Sequence, residues 1–487
     1  MINTKIIINV LGVLLMMLSG FMALSMVVSL VFDASDAMSM GTAGLVTFLT
    51  GFVLWLLTRN AEKHIAKREG FLIVALGWIT ISIFCTLPYL LSSTLPDITR
   101  AMFESVSGLT TTGATVIENV EVLPKGILFW RSLTQWLGGM GIIVLTVAIF
   151  PLLGIGGVEL FVAESPGPTS DKIHPKIKET AKRLWLIYLG LTTTLIFILS
   201  MLGMTFFDAL NHGLTTMATG GFSTRNASIA YFNSPAIEYT ISLFMLCAGI
   251  NYTIIYFGLT GHFKKVWRSD EFKTYFSLVI VFIVFVTTVV YFNTGNPMEQ
   301  SFRESTFQII SLMTTTGYVT ADYTSWSTPI TLFFFVLLFV GACAGSTSGG
   351  IKVIRHMVFF KNSFLEIKRL LHPKAIIRTK VDRKIVAPRI LMHIMVFLIL
   401  YLMLFLVGSF LMTIVLSDFD QPILSSIGAV ATSLGNVGPS IGQLGPMDNF
   451  SAVPLAGQWI LVFLMLLGRL ELFTILILFT PYFWRRN

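Results

Sequence analysis

The chain has 487 residues, of which 54% are hydrophobic and only 12% are charged, and its formal net charge is +8. Soluble domains carry about 25% charged residues, so this composition excludes an ordinary soluble enzyme and a disordered chain. A basic excess in a soluble protein can indicate nucleic acid, but in a membrane protein it reports orientation, and we expect no nucleic-acid partner. The composition predicts an all-α protein that crosses a lipid bilayer several times.

Ten stretches of the chain have the roughly 20 apolar residues that a helix needs to cross a bilayer. The first two form an N-terminal pair within residues 1–70, ahead of the rest of the chain. The predicted spans are 5–32, 39–58, 71–93, 128–153, 184–206, 236–259, 274–293, 328–360, 388–416 and 455–482.

Basic residues are divided unequally between the two sides of these spans. The side that holds both termini receives 27 of the 33 Lys and Arg residues, and the opposite side receives five. Because loops rich in Lys and Arg stay in the cytoplasm, both termini are predicted to be cytoplasmic. The outer side carries 14 acidic residues, and a negative mouth of this kind would concentrate cations.

After the N-terminal pair, one pattern occurs four times: a span, a short apolar segment, a stretch rich in Thr and Gly, and another span. The four units are predicted at residues 71–183, 184–273, 274–387 and 388–487. The short segments, of about 11–16 residues, cannot cross a bilayer and fit half-helices that enter from outside and stop midway. The Thr/Gly stretches are 108–115 (GLTTTGAT), 216–223 (TMATGGFS), 313–320 (MTTTGYVT) and 431–438 (ATSLGNVG), and their central glycines are Gly113, Gly220, Gly317 and Gly435.

The Thr/Gly stretches predict an ion path. Irregular backbone is tolerated at membrane depth only where it lines a cavity, and glycine permits backbone angles that expose carbonyl groups. Four rows of carbonyl oxygens around a pseudo-fourfold axis, with four half-helix dipoles turned towards it, would form a dehydrated site for a monovalent cation. Close helix packing through small residues would explain any one stretch, but four in matching places favour the pore.

The predicted span 328–360 is longer than a bilayer requires, and its glycine-rich middle should break the helix. A polar loop here would lie below the third Thr/Gly stretch and block the ion path, with a packing bend as the alternative. A charge inside a span usually faces a cavity and a partner, so Arg469 is predicted to contact the carbonyl groups of this loop, with a structural ion pair as the alternative. The gate candidates are Gly341, Ala342, Cys343, Ala344, Gly345, Ser346, Thr347, Ser348, Gly349, Gly350 and Arg469.

These stretches, together with 135–141 (QWLGGMG), 341–350 (GACAGSTSGG) and 468–471 (GRLE), resemble the Trk/Ktr/HKT superfamily of cation transporters. The two N-terminal spans are similar to those of its bacterial TrkH branch, and the resemblance covers essentially the whole chain. It implies a homodimer in the bacterial inner membrane, with one pore in each protomer, that takes up potassium. It also implies regulation by a cytosolic ring of nucleotide-binding subunits of the TrkA type.

The resemblance implies that potassium binds at the four Thr/Gly stretches. Sodium-selective relatives replace the first filter glycine by serine, so Gly113 favours potassium. The repeats are unequal, because Leu434 stands where two other stretches have threonine. The filter residues carried over are Thr111, Thr112, Gly113, Ala218, Thr219, Gly220, Thr315, Thr316, Gly317, Ser433, Leu434, Gly435 and Asn436.

Channel-like conduction is the preferred mechanism. The sequence shows no nucleotide-hydrolysis motif and no catalytic cluster, so we do not expect an enzyme, and acidic residues and lysines are nearly absent from the spans. A symporter that couples protons or sodium to potassium is the alternative. The basic segment 361–389 fits either attraction to anionic lipid or a docking surface for a regulatory subunit.

Overall fold

The computed structural model describes residues 2–61, 67–141 and 177–485. Helices make up most of this part of the chain, as predicted, and its only strands form a small antiparallel hairpin, β1 (Lys380–Val381) with β2 (Lys384–Ile385). The α-helices are α1 (Thr4–Val31), α2 (Ala37–Thr58), α3 (Lys67–Cys85), α4 (Leu87–Leu91), α5 (Ile98–Leu109), α6 (Lys125–Gly139), α7 (Ile177–Met201), α8 (Phe206–Met217), α9 (Pro235–Ala248), α10 (Tyr252–Leu259), α11 (Phe263–Val266), α12 (Asp270–Thr294), α13 (Met298–Met313), α14 (Thr328–Leu337), α15 (Val353–Leu371), α16 (Pro388–Val415), α17 (Pro422–Gly435), α18 (Leu455–Arg469), α19 (Phe473–Leu476) and α20 (Pro481–Trp484). Short 3-10 turns occur at Val120–Val122, Ser228–Phe232, Tyr323–Ser325, Gly442–Leu444 and Ile477–Phe479.

Four short helices, α5, α8, α13 and α17, each precede a non-helical segment and a further helix. Each follows a long helix, which for α5 is α3 extended by the short α4. They have 12, 12, 16 and 14 residues, or about 18–24 Å, which is less than the roughly 30 Å of a bilayer core. The side chains of Asp97 and Thr205 cap the first two by accepting hydrogen bonds from backbone N–H groups, as N-cap residues do. That these helices enter a membrane and stop midway stays a prediction, as do the unit boundaries.

Six helices are long and apolar enough to cross a membrane, and two strongly bent helix pairs would raise the number to eight among the described residues. The pairs are α9 with α10, bent by 105°, and α18 with the helical turns of Phe473–Phe479, bent by 107°. The predicted spans 236–259 and 455–482 are therefore not continuous helices, and that each bent pair crosses a membrane stays a prediction. The count of ten stays a prediction, because the second half of the predicted span 128–153 lies outside the described residues.

The two bends have different local causes. At the first, the Asn251 side chain accepts a hydrogen bond from the Thr253 N–H (2.8 Å) and starts a new helix. At the second, Glu471 and Leu472 have φ angles of 53° and 55°, which are rare outside glycine. The first bend therefore carries a capping signal in the sequence, whereas the second does not.

The predicted break in the span 328–360 is confirmed. Helix α14 ends at Leu337 and α15 begins at Val353, so residues 338–352 are non-helical. This segment contains all ten residues of the predicted loop 341–350.

The N-terminal helices α1 and α2 pack closely through two glycines. A Cβ on Gly12 would lie 2.7 Å from the carbonyl oxygen of Gly51, and a Cβ on Gly51 would lie equally close to the carbonyl oxygen of Gly12. Backbone approach through small residues is typical of helix pairs in membranes. Helix α1 also contacts α3 and α6, so the pair leans against the first of the four predicted units.

Candidate functional site

The four short helices end in the same backbone geometry. A residue in the left-handed region follows each helix, and a glycine with positive φ comes two residues later. Positive φ costs about 1–3 kcal/mol for a residue other than glycine, and it is a true outlier for a β-branched one. The left-handed residues are Thr111 (55°), Thr219 (53°), Thr315 (55°) and Asn436 (52°), and the glycines are Gly113 (82°), Gly221 (79°), Gly317 (79°) and Gly438 (100°).

Equivalent hydrogen bonds close the four helix ends. In each, the residue after the left-handed one donates its N–H to a carbonyl five positions earlier, which satisfies a carbonyl that the helix end leaves free. These bonds align the four segments without reference to side chains. The pairs are Thr112 to Ser107 (2.9 Å), Gly220 to Thr215 (2.9 Å), Thr316 to Ser311 (2.8 Å) and Val437 to Thr432 (3.0 Å).

This backbone register corrects the sequence alignment in the second and fourth segments. Gly221, and not Gly220, matches Gly113 in the second segment, and Gly438, and not Gly435, matches it in the fourth. The sequence alignment is therefore shifted by one residue in the second segment and by three in the fourth.

The shift moves four predicted filter residues into helix ends. Ala218 caps α8, while Ser433, Leu434 and Gly435 belong to the last turn of α17. The physical reason lies in Asn436, which takes the left-handed position that threonine has in the other segments. Asparagine tolerates this conformation better than most residues, so matching threonine with threonine and glycine with glycine misplaces the fourth segment.

The four segments contact one another in a closed cycle. A Cβ on each positive-φ glycine would collide with a carbonyl oxygen of the next segment, so only glycine allows this approach. The carbonyl groups involved belong to the four residues that share the register of Thr112. The pairs are Gly113 with Gly220, Gly221 with Thr316, Gly317 with Val437, and Gly438 with Thr112.

Side chains break the symmetry of this cycle. In the first and third segments two threonine hydroxyls bond to each other, Thr110 with Thr112 (2.7 Å) and Thr314 with Thr316 (2.8 Å). At the position of Thr112 and Thr316, the second and fourth segments have Gly220 and Val437, which carry no hydroxyl. The backbone thus follows a fourfold pattern while the hydroxyl pairs occur only in alternate segments.

The side chains of the left-handed residues divide into two classes. The Thr315 hydroxyl accepts a hydrogen bond from the Gly349 N–H (2.6 Å), and the Thr219 hydroxyl lies 3.3 Å from that of Thr347. Both partners belong to the 341–350 loop. By contrast, Oγ1 of Thr111 and Oδ1 of Asn436 are buried and have no hydrogen-bond partner within the described chain. Buried oxygens without a proton donor are costly and are suited to a cation.

The 341–350 loop is anchored at both ends. The Gly341 N–H donates to the Ile351 carbonyl (2.8 Å), and the Val353 N–H donates to the Ala342 carbonyl (3.0 Å). At the tip, the Thr347 hydroxyl donates to the Met217 carbonyl at the end of α8 (3.1 Å). The two ends of the loop therefore lie close together, and its tip contacts the end of α8.

Arg469, the last residue of α18, holds the loop as predicted. Its guanidinium donates to the Thr347 carbonyl (3.0 Å) and to the carbonyl groups of Gly138 and Gly139, the latter at 3.0 Å. The two glycine carbonyls end α6, where the helix dipole is negative. The predicted contact is confirmed, and a role in gating stays a prediction.

Buried charges beside the loop correct the sequence interpretation. By sequence, Lys352 counts among the cytoplasmic basic residues, but it is buried and its Nζ donates to the carbonyl and the hydroxyl (3.1 Å) of Ser348. The Glu271 carboxylate accepts from the Ala344 N–H (2.6 Å). Sequence alone misses these contacts because a charged residue at a span end is usually solvated.

The outer side also exposes fewer acidic residues than the sequence predicts. Four of the outer acidic residues, Asp36, Glu104, Asp208 and Glu238, are buried. Glu104 forms an ion pair with Arg131 (2.8 Å) in which both side chains are almost fully buried. These acids are neutralised or hydrogen-bonded within the protein, so they contribute little field outside it.

The chain matches the family model described as "TrkH: Cation transport protein" over residues 37–486. It is 40% identical over 482 residues to the Trk system potassium uptake protein TrkH of Salmonella typhimurium, covering 98% of each chain. It is also 40% identical to the protein of the same name from Halomonas elongata, covering 99% of this chain and 100% of that one. The crystal structure of the potassium transporter TrkH from Vibrio parahaemolyticus has a TM-score of 0.89 and 36% identity, and the match covers 99% of this chain and 100% of that one.

The family model begins at the start of α2 and includes all four helix ends of the cycle, and the matches to the relatives cover 98–99% of the chain. Together with the long apolar helices, they identify a multi-pass membrane protein, as the composition predicts. The chain belongs to the TrkH family of cation transport proteins.

Proposed function

We propose that this protein takes up potassium across the bacterial inner membrane by conduction along the axis that its four non-helical segments surround. The observation that carries the proposal is the closed cycle of glycine–carbonyl contacts. Four covalently linked segments of similar backbone brought together in this way offer carbonyl groups to one ion. The names of the related potassium uptake proteins support the choice of potassium, which is the transported substrate and not a bound cofactor.

The proposed filter uses the corrected register. Its backbone comes from residues 111–113, 219–221, 315–317 and 436–438. Carbonyl oxygens there would replace the water shell of the ion, and the C-terminal ends of α5, α8, α13 and α17 would add four negative dipoles. Oγ1 of Thr111 and Oδ1 of Asn436, which have no hydrogen-bond partner among the described residues, are further candidate ligands.

The proposed gate is the 341–350 loop with Arg469. The loop tip is bonded to Thr219 and Thr315 at the base of two filter segments. In this position it would obstruct an ion that leaves the filter, and the guanidinium behind it would repel a cation. Anchoring at Gly341 and Val353 would let the tip move while the ends stay in place.

We also propose that two protomers form a dimer, each with its own pore, and that a cytosolic ring of nucleotide-binding TrkA-type subunits controls the gate. Support for regulatory partners comes from the relatives, whose names place them in a Trk system. The basic segment 361–389, which includes the end of α15 and the β-hairpin, is the proposed cytoplasmic docking surface. Both termini would then also be cytoplasmic.

Rubidium flux into vesicles that contain the purified protein tests the central proposal. We expect rubidium entry that is inhibited by potassium and less by sodium or lithium. A Gly317→Leu variant should abolish it, because a side chain there meets the Val437 carbonyl in the cycle. Gly190→Leu is the matched control, since Gly190 has open space around its Cβ position.

The same vesicles separate conduction from coupled transport. Rubidium entry driven only by its own gradient and the membrane potential, and unchanged when sodium and pH gradients are removed, is expected for a channel-like path. A strict requirement for a proton or sodium gradient would support the symporter instead. Absence of any rubidium entry by the wild-type protein would contradict the proposed function.

A further inference from the structure

One position of the cycle lacks a side chain. The residues that share the register of Thr112 are Thr316, Val437 and Gly220, and only the last has no side chain. Its φ angle lies outside the left-handed region, so the backbone does not require glycine there. The glycine must be explained by what occupies the space beside it.

That space is filled by Gln135 from α6. A Cβ on Gly220 would lie 2.9 Å from Cγ of Gln135 and 2.5 Å from its Oε1, and its closest neighbour would be the amide carbon. Gln135 is fully buried. The side chain therefore occupies the position at which a side chain of residue 220 would begin.

The Gln135 amide is bonded to the backbone on both sides of Gly221. Its Nε2 donates to the Gly220 carbonyl (2.5 Å), and its Oε1 accepts from the Phe222 N–H (3.0 Å). The amide orientation follows from the partners, since a carbonyl only accepts and an N–H only donates. In the fourth segment the residue equivalent to Phe222 is Pro439, which has no N–H and needs no such partner.

A second residue of α6, Arg131, contacts the same non-helical segment. Arg131, one helical turn before Gln135, donates to the Ser223 carbonyl (3.3 Å), and its guanidinium lies 4.1 Å from the centre of the Phe222 ring. The buried ion pair with Glu104 fixes this arginine. One face of α6, in the first unit, thus supports the backbone of the second unit.

We propose that Gln135 replaces in space the side chain missing at position 220 and thereby acts as a positioning residue for ion selectivity. It holds the Gly220 carbonyl, which is also the carbonyl that faces Gly113 across the cycle. A donor on this one carbonyl also draws negative charge away from it, so the four carbonyls of this level are unequal ligands. The inference rests on the proposed function and deepens it, by assigning selectivity to a residue outside the filter segments.

The test is a double-mutant cycle that measures the ratio of rubidium to sodium flux in vesicles. Gln135→Ala should lower the ratio about fivefold, the equivalent of one ordinary hydrogen bond. Gly220→Val should also lower it, because valine collides with the intact glutamine. Valine is chosen because the fourth segment has Val437 at this register. The combination of both changes should give a higher ratio than Gly220→Val alone, because alanine at position 135 removes the collision with valine.

Gln135→Met controls for volume, since methionine fills the space without hydrogen bonds and should lower the ratio about as much as alanine does. Melting temperatures in detergent report whether each variant is folded. A wild-type ratio in the folded Gln135→Met protein, or a double variant no better than Gly220→Val alone, would overturn the assignment of Gln135. Loss of rubidium flux in wild-type vesicles would instead contradict the proposed function itself.

Discussion

The backbone angle of single residues is the most informative feature of the site. Three threonines and one asparagine adopt the left-handed conformation at matching positions, although the conformation is unfavourable for β-branched residues. Such strain persists only where surrounding structure imposes it. Here the imposing structure is the helix end on one side and the neighbouring segment on the other, which together leave no room for a relaxed backbone.

Gly113→Ser tests the demand for glycine in the cycle. The φ of Gly113 is 82°, and any Cβ there collides with the Gly220 carbonyl, so serine should displace that carbonyl and admit sodium more readily. We expect the ratio of rubidium to sodium flux to fall, with an additional loss of stability of about 1 kcal/mol or more from the unfavourable φ. Flux in vesicles and thermal unfolding in detergent measure the two effects.

Gly203→Ser is the matched control for this change. Gly203 also has a positive φ, 98°, but its Cβ position has open space. The control should lose stability and keep the wild-type flux ratio. Equal flux ratios in the two variants would show that the contact with Gly220 has no bearing on selectivity.

At the scale of elements, the sequence predicts those helices and breaks that have a distinctive local composition. Apolar length locates the long helices, and the glycine-rich stretch locates the non-helical segment after α14. The bend after Arg469 is not predictable, because Glu471 and Leu472 carry no sequence signal for the positive φ that they adopt. The sequence alignment of the fourth segment is wrong for a similar reason, since Asn436 takes a backbone position that threonine has in the other segments.

Contacts between distant elements are the part that sequence misses most. The hydrogen bonds of Gln135 to the second segment join residues 85 and 87 positions apart. Burial of Lys352 likewise depends on the loop folding back over it. The Arg469 contact with the loop was predictable only because a charge inside a span demands a partner.

Removal of residues 346–348 tests the loop as a gate. The deletion keeps the paired ends at Gly341 and Val353 and removes the tip that contacts Thr219 and Arg469. One charge-assisted hydrogen bond contributes about 1.5–3 kcal/mol, so its loss from the closed state should raise rubidium flux about tenfold or more.

The control for the loop deletion removes the same number of residues, 373–375, from an exposed turn after α15. It should leave the flux unchanged in vesicles without regulatory subunits. Thr347→Val is a milder second variant that loses the hydroxyl contact with the Met217 carbonyl and should raise the flux less. A folded deletion variant with wild-type or lower flux would contradict the gate assignment.

At the scale of the whole molecule, two groups of contacts lie at what the sequence predicts to be opposite ends. At one end the Asn3 N–H donates to the Glu69 carboxylate (3.1 Å), and Arg68 donates to the Arg485 carbonyl (2.9 Å). Described residues near the two chain termini therefore both contact the first turn of α3. Among the later elements, Lys361 of α15 forms an ion pair with Asp270, the first residue of α12 (3.0 Å).

The opposite end is held by contacts between the segments that follow the short helices. The Phe450 N–H donates to the Thr115 carbonyl (2.8 Å), and the Tyr323 hydroxyl donates to the Ser440 carbonyl (2.8 Å). That these contacts lie on the outer side, and the termini on the cytoplasmic side, stays a prediction from the distribution of basic residues.

Cysteine labelling tests this orientation. Asp448 and Lys374 are exposed residues on opposite predicted sides, whereas the native Cys85 and Cys343 are buried. A membrane-impermeant maleimide should label Asp448→Cys in intact spheroplasts and Lys374→Cys only after permeabilisation. The wild-type protein, with Cys247 partly buried, supplies the background. Labelling of Lys374→Cys in intact spheroplasts would reverse the orientation, and with it the direction in which the loop and Arg469 oppose the ion.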